Sequence, residues 1–479
     1  MGRATEFAMG FTEEVIPMMK SVALRGRAKL ATLLNDLMHR ASQGSDRKEP
    51  DSRNVRTWRQ FVLGVIAKGS TRLITVSQAV ASWRKVTSVK SAAMALGYFL
   101  GKAQFPMRPF ATRLVEAAVQ TLGPGQLESC RGKVLLVIDA TEYAKRSRGK
   151  GKRGRGMQHI GRVRKTQAKV KSKKRRAAGK KAADQTRKVV TTYGYVDIWA
   201  GVVVLGKQLL PLARQLFSSN HPKLKSQNRV EEAVLFQSLG VLGRLGLEAI
   251  AVGDRGLGRK ELVIRLANKG QDLVFRIDPD ILAKAPDTEE EVILAELLDA
   301  APYLGEVKWD RGEEGQLRCQ VRLVRATIRF SRSGRKADYQ EATVNFLELV
   351  PGEEGVESLV LVTTLPVQTL ADAKEIARIY SQRWAIETGF ETMHGWGQDR
   401  FMVRSFTAID RLLWIVAIAH TLMLLALRDG KLAGFCEQAK RLLKRQAVLG
   451  RCLTVGKLAE AIRLDFDKHR RAWTYGWLL

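Results

Sequence analysis

Cysteine and histidine are scarce in this chain, with four and six copies in 479 residues. Cys130, Cys319, Cys436 and Cys452 stand far apart, form no C-x-x-C pair and have no histidine at ligand spacing, which argues against a disulfide framework or a structural zinc site. An apolar run is missing near the N-terminus, where Glu6, Glu13 and Glu14 interrupt any secretory signal. The most apolar stretch, Leu412 to Leu427, is short for a bilayer and contains His420, so it reads as a buried core helix and no membrane association is expected. Acid is also in deficit: 81 Lys plus Arg face 48 Asp plus Glu, giving a formal charge of +33. The basic residues run through every region instead of collecting on one amphipathic helix, so nucleic acid is favoured over an anionic membrane surface as the partner.

What is present is a folded chain of several domains, with 45% hydrophobic residues. Residues 1–128 are helical in pattern, with breaks near Gly44 to Pro50, Gly69 to Ser70 and Pro106. Within them, "TVSQAVASWRK" and "SVKSAAMALGYFLGK" each open on a hydroxyl residue suited to an N-cap. They are either a helix-turn-helix or two packing helices of an all-α domain. Residues 129–278 alternate strand-like and helical runs: "KVLLVIDATEY", a hairpin of "KVVTTYGYVDIWA" and "GVVVLGKQLLPL", a helix from about Asn228, the strand "AIAVGDRGLG", a helix and the strand "QDLVFRID". Residues 279–357 read as a β-rich insertion, residues 358–404 as the return of the α/β pattern, and residues 405–479 as helical. Between two core strands lies a low-complexity basic segment, residues 145–187, in which 18 of the 37 residues from Lys145 to Lys181 are Lys or Arg. Such a segment cannot bury a core and is expected to be disordered alone, gripping phosphate through residues such as Lys173, Lys174, Arg175 and Arg176. Its G-x-G-x-x-G at Gly149, Gly151 and Gly154 opens no helix and is not a dinucleotide site.

Three acids stand at the ends of strand-like or helical runs: Asp139, Asp254 and Glu387. Brought together they repel one another, and divalent metal would compensate them. Carboxylate ligands suit Mg²⁺ or Mn²⁺, and two such ions about 4 Å apart serve displacement at phosphorus. Glu387 lies in "YSQRWAIETGFETMH", where Tyr380, Arg383, Glu387 and His394 follow steps of three, seven and fourteen. At about 100° per residue these steps return to one side of a single helix. Ile379, Ile386, Phe390 and Met393 form the apolar stripe beside it.

The set "VIDATEY", "AVGDRGLGRKELVIRLANKG", "LVTTLP" and "YSQRWAIETGFETMH", over roughly residues 130–425, resembles the insertion-sequence DDE transposases, in the branch with the Y-x2-R-x3-E-x6-K signature (insertion sequence 4 superfamily). The resemblance implies an α/β fold with an RNase H-like core, a mixed sheet flanked by helices. It implies Asp139, Asp254 and Glu387 as metal-binding catalytic residues, two Mg²⁺ per site with Mn²⁺ substituting, and Tyr380 and Arg383 as phosphate contacts. His394 stands where the signature has Lys and would grip phosphate more weakly. It further implies a cytoplasmic bacterial protein that meets double-stranded DNA both as transposon ends and as target, reads the ends with its N-terminal domain, and dimerises through the helices of residues 405–479 when two ends are synapsed. The expected activity is metal-dependent cleavage at terminal inverted repeats followed by strand transfer. The alternatives are an RNase H-like nuclease without strand transfer and a non-catalytic DNA-binding inhibitor of transposition.

Overall fold

The computed structural model describes residues 27–42, 51–83, 88–145, 157–167, 188–224, 226–286, 288, 290–311, 315–331, 338–353, 355–445 and 453–468. In chain order these begin with five helices, α1 (Arg27–Ser42), α2 (Ser52–Lys68), α3 (Leu73–Trp83), α4 (Val89–Gly101) and α5 (Met107–Leu122). Then come β1 (Ser129–Cys130), β2 (Lys133–Ala144), β3 (Gly161–Gln167), β4 (Lys188–Val204), β5 (Gln208–Phe217), α6 (Gln227–Arg244), β6 (Ala249–Gly253), α7 (Lys260–Ala267) and β7 (Asp272–Arg276). The β-rich stretch holds β8 (Leu282–Lys284), β9 (Glu291–Ile293), α8 (Leu294–Ala300), β10 (Tyr303–Asp310), β11 (Gln316–Phe330) and β12 (Gln340–Pro351). It is followed by β13 (Leu359–Thr363), α9 (Leu370–Ser381), α10 (Trp384–Gly395), α11 (Phe406–Arg428), α12 (Ala433–Arg445) and α13 (Val455–Lys468). The chain divides into two compact units, Met1–Leu122 with Glu391–Leu479, and Gly123–Phe390.

The first unit is helical. Asp51 accepts from Arg53 N to cap α2, and Ser88 accepts from Ser91 N to cap α4, each satisfying an orphan N–H of the first turn. Helix α3 starts at Leu73, two residues before the Thr75 that opens the sequence segment, so Thr75 lies inside the helix and is not its cap. Helix α11 is the centre of this unit. It is long and apolar enough to cross a membrane, but 89% of its apolar window is buried within the protein, as a core helix requires. Its Arg411 reaches the C-terminal end of α4 and donates to the carbonyls of Phe99, Leu100, Ala103 and Phe105 at 2.8, 3.2, 2.7 and 3.4 Å. A cation there meets the carbonyls that the helix leaves unbonded.

The second unit is a mixed sheet with flanking helices. Its strand order is β3-β4-β2-β6-β7-β13-β12-β11-β8-β9, with β5 on β4, β1 on β2 and β10 on β11. The β-rich stretch is therefore continuous with the core sheet, because β12 pairs antiparallel with β13 and β13 with β7. The long hairpin and the basic segment differ from the sequence reading. The two runs of the expected hairpin meet between Ala200 and Gly201, but β4 runs on to Val204 and the chain turns at Leu205–Lys207, where Gly206 and Lys207 take positive φ. Gly201 instead sits at a bulge, where a Cβ would lie 2.6 Å from the Leu210 carbonyl oxygen. The second difference lies in the basic segment: residues 161–167, expected to lack structure, form β3 along the 188–194 edge of β4, with Val163 buried. Backbone pairing to a preformed strand supplies the hydrogen bonds that this sequence could not provide alone.

Within the sheet, Asp197 on β4 and Arg214 on β5 form a fully buried ion pair. Arg214 Nη2 and Nε donate to Asp197 Oδ1 at 2.7 and 3.0 Å, and Tyr143 Oη of β2 donates to Oδ2 at 3.2 Å. Every partner is satisfied, so the pair ties the three strands together, and removing one member leaves an uncompensated charge. Arg214→Met is accordingly expected to lower stability by about 3–5 kcal/mol, read as a shift of the urea midpoint at constant slope.

Candidate active site

Strand register places the first two acids. Strands β2 and β6 run parallel with Ile138 opposite Gly253, so the next residues, Asp139 and Asp254, leave the paired ends side by side. Strand β6 stops there and Asp254 opens a turn, its carbonyl accepting from Leu257 N at 2.9 Å. Strand β2 does not end at the acid as the sequence suggested. It continues to Ala144 along β4, with Asp139 opposite Trp199. The C-terminal ends of parallel strands are where α/β sheets place their crevices. Here a pocket of about 170 Å³ is lined by Asp139, Asp254, Glu231 and Gln227 among others.

The third acid arrives on α10, and the route corrects the expectation of one straight helix. Helix α9 ends at Ser381 and α10 starts at Trp384. Through the junction the bonds are of the i to i−3 type, from Arg383 N to Tyr380 O at 3.0 Å and from Ile386 N to Arg383 O at 3.1 Å. In such a tight turn side chains three apart eclipse, which aligns Tyr380 with Arg383. Arg383 and Glu387 are then four apart, neighbours on the α-helical surface. Helix α10 is seated on the β4–β5 hairpin. Phe390 meets Trp199 edge-on at 6.1 Å, and a Cβ on Gly389 would come within 3.0 Å of Leu209.

Arg383 is the hub. Its Nη1 lies 2.9 Å from Asp139 Oδ2 and 2.7 Å from Glu387 Oε1, while Tyr380 Oη donates to Asp254 Oδ1 at 3.4 Å. Both Tyr380 and Arg383 are buried. Burial alone would lower the guanidinium's affinity for its proton, but Asp139, Tyr380, Glu387 and Asp254 together raise it above the ordinary value. Burial, then the Asp254 charge, pushes the Tyr380 phenol well up. Asp139 is pushed up to about 6: desolvation dominates, Arg383 and the Ala140 N–H oppose it, and Asp254 and Glu387 add to it. A quarter of the Asp139 side chain is accessible, and the residue lines the small pocket.

His394 lies two turns beyond Glu387 on α10 and belongs to the helical unit, whereas the three acids belong to the other. Burial lowers its pKa, with Asp399 opposing. Lys173, Lys174, Arg175 and Arg176 lie outside the described residues. Glu231 and Gln227, which line the pocket from α6, were missed by sequence reasoning. The signal was an acid at helical spacing from the buried Val234 and Leu235. Arg259 was missed as well: it donates to Glu231 Oε2 at 2.7 Å and to the Gly256 carbonyl, bracing the turn that carries Asp254.

Among the described residues, no three His, Cys, Asp or Glu side chains converge on one point as ligands of a single metal ion, and Arg383 stands between Asp139 and Glu387. The donor chemistry nevertheless fits a hard divalent cation. All three acids are oxygen donors, and three carboxylates against one guanidinium leave negative charge in excess.

A family model described as a transposase DDE domain matches residues 116–422, which include all three acids. No curated protein matches the chain.

With a chelator present, the Asp139 carboxyl is expected to titrate near pH 6, against about 4 for a free aspartate. Its folded pKa lies above the unfolded one, so the native state binds the proton more tightly, and this group's contribution to stability falls as pH rises from about 4 to about 6. Carboxyl ¹³C NMR, with Asp139→Asn for assignment, checks this, and a midpoint near 4 contradicts it.

Proposed function

This chain belongs to the transposase DDE domain family, and we propose that it binds the terminal inverted repeats of a mobile element, cuts there and joins the freed 3′-hydroxyl to target DNA. The observation that carries this reading is the gathering of Asp139, Asp254 and Glu387 around Arg383 and Tyr380, at the ends of two parallel strands. The order β5-β4-β2-β6-β7 supports an RNase H-like core, with its first three strands antiparallel and β6 and β7 parallel to β2. Within the family, the spacing of Tyr380, Arg383 and Glu387 favours the branch with the Y-x2-R-x3-E signature.

Asp139, Asp254 and Glu387 would hold Mg²⁺ or Mn²⁺, two ions per site, which when bound supply charge neutralisation and an activated oxygen nucleophile at phosphorus. The remaining work falls to the chain itself. Arg383 offers five N–H donors and both carboxylate contacts come from Nη1, so the guanidinium fork has donors that these acids do not engage, suited to a DNA phosphate. Tyr380 orients Asp254. The seating of α10 on the hairpin, through Phe390 and Gly389, fixes the position of Glu387. A dimer forms when two ends are synapsed, and the N-terminal helices read the end sequence.

The test uses the purified full chain, Mg²⁺ and labelled duplexes from both flanks of its gene. Wild type is expected to cut at a defined end and join it to a second duplex. Asp139→Asn, Asp254→Asn and Glu387→Ala are each expected to lose cleavage by a factor of 10³ or more while binding the same duplex within about threefold. Cutting without joining would mark a nuclease, and retained cutting by all three variants would remove the assignment of the site.

A second expectation concerns the basic segment. Replacing Lys173, Lys174, Arg175 and Arg176 with Ala is expected to flatten the slope of log affinity against log salt by roughly 3 to 4. An unchanged slope would show that these residues do not meet phosphate.

A further inference from the structure

Helix α4 has two contrasting faces. Ala92, Leu96, Phe99 and Leu100 are buried, and Arg411 holds its C-terminal carbonyls. On the other side Met94 and Tyr98 are 67% and 60% exposed, which is high for large apolar side chains four residues apart. Lys90 and Lys102 extend the same row at four-residue steps, one before Met94 and one after Tyr98, and both are exposed, as is Ser91. The first turn of α3 lies against α4 at Gly97, where a Cβ would sit 3.8 Å from Leu73. The exposed Ile74 therefore belongs to the same end of the helix pair as Tyr98.

Charge selects the occupant of this face. From Ser52 to Val115 the sequence holds eleven Lys or Arg and not one Asp or Glu. An apolar protein partner does not require such one-sided charge, whereas a polyanion does. Resting on the transposase reading above, we propose that α4 is the base-reading helix for the element's ends, laying Met94 and Tyr98 along base edges in the major groove of duplex DNA. The chemistry follows from the residue types. The Met94 side chain suits a thymine methyl, the Tyr98 hydroxyl donates or accepts at a base edge, and Lys90 and Lys102 reach phosphates on either side. A helix of 13 residues spans about 20 Å and fits a groove about 12 Å wide. Arg411 holds the carbonyls of Phe99 and Leu100 in the last turn of α4 and of Ala103 and Phe105 just beyond it, which anchors the C-terminal end of the helix and limits the conformational cost of docking.

The experiment compares the full chain on two labelled duplexes: one from the flank of its gene, and one of the same composition with shuffled sequence. Wild type is expected to prefer the flank duplex. Met94→Ser and Tyr98→Ser together are expected to reduce that preference at least tenfold while leaving affinity for the shuffled duplex within about twofold. Lys90→Ala with Lys102→Ala should weaken both duplexes alike and flatten the salt slope by roughly 2. All four side chains are exposed, and an unchanged thermal melt confirms that the variants fold. Full preference retained by Met94→Ser/Tyr98→Ser would overturn the assignment while leaving the cleavage reading intact. So would a shift in sedimentation from dimer to monomer with preference unchanged, which would give the face to a second copy of the chain. If wild type cuts its ends but shows no preference in binding, the helix assignment falls and the transposase reading stands. If wild type neither cuts nor discriminates, both fall.

Discussion

The contact on which the site depends is one guanidinium nitrogen shared by two carboxylates. Arg383 Nη1 reaches Asp139 from a β-strand and Glu387 from a helix, residues 248 positions apart in sequence. Without it, three acids at the end of a sheet would repel one another, and Asp139, already short of water, would be harder still to ionise. The fold invests in this contact from both sides. Parallel register delivers Asp139 next to Asp254, while the hairpin face of β4 and β5 seats the helix that carries Glu387. A fully satisfied buried pair, Asp197 with Arg214, ties the same strands a few residues further along.

The spacing of Tyr380, Arg383 and Glu387 has a physical meaning that a single helix would not have given it. Two residues separate Tyr380 from Arg383, which suits the tight turn between α9 and α10, and three separate Arg383 from Glu387, which suits the first α-helical turn after it. Each interval matches its local winding, so the phenol, the guanidinium and the carboxylate face one direction despite the break. His394, a further seven residues on, keeps helical phase but falls in the other compact unit.

How much of this was legible in the sequence depended on whether local pattern or distant partners decided the outcome. Short apolar runs ending near acids, such as "KVLLVIDATEY" and "AIAVGDRGLG", marked the central strands, because a strand buried on both faces must be apolar throughout. The sequence split the long hairpin into runs that meet at Gly201, whereas in the fold Gly201 lies inside β4, where the close approach of the Leu210 carbonyl leaves no room for a Cβ. Strand β3 could not be seen, since seven residues of basic sequence acquire structure only by pairing with β4. Arg259, Asp197 and Arg214 were invisible for the same reason: an acid or a base acquires a role only from its neighbours in space.

The central claim is that Asp139, Asp254 and Glu387 together hold divalent metal. Titration of Mn²⁺ into the full chain, followed by electron paramagnetic resonance of the free ion, tests it without requiring DNA or turnover. Wild type is expected to bind Mn²⁺ and to lose that binding at least tenfold in Asp139→Asn, in Asp254→Asn and in Glu387→Ala, with Mg²⁺ competing. Mn²⁺ uptake unchanged in all three variants would contradict the claim.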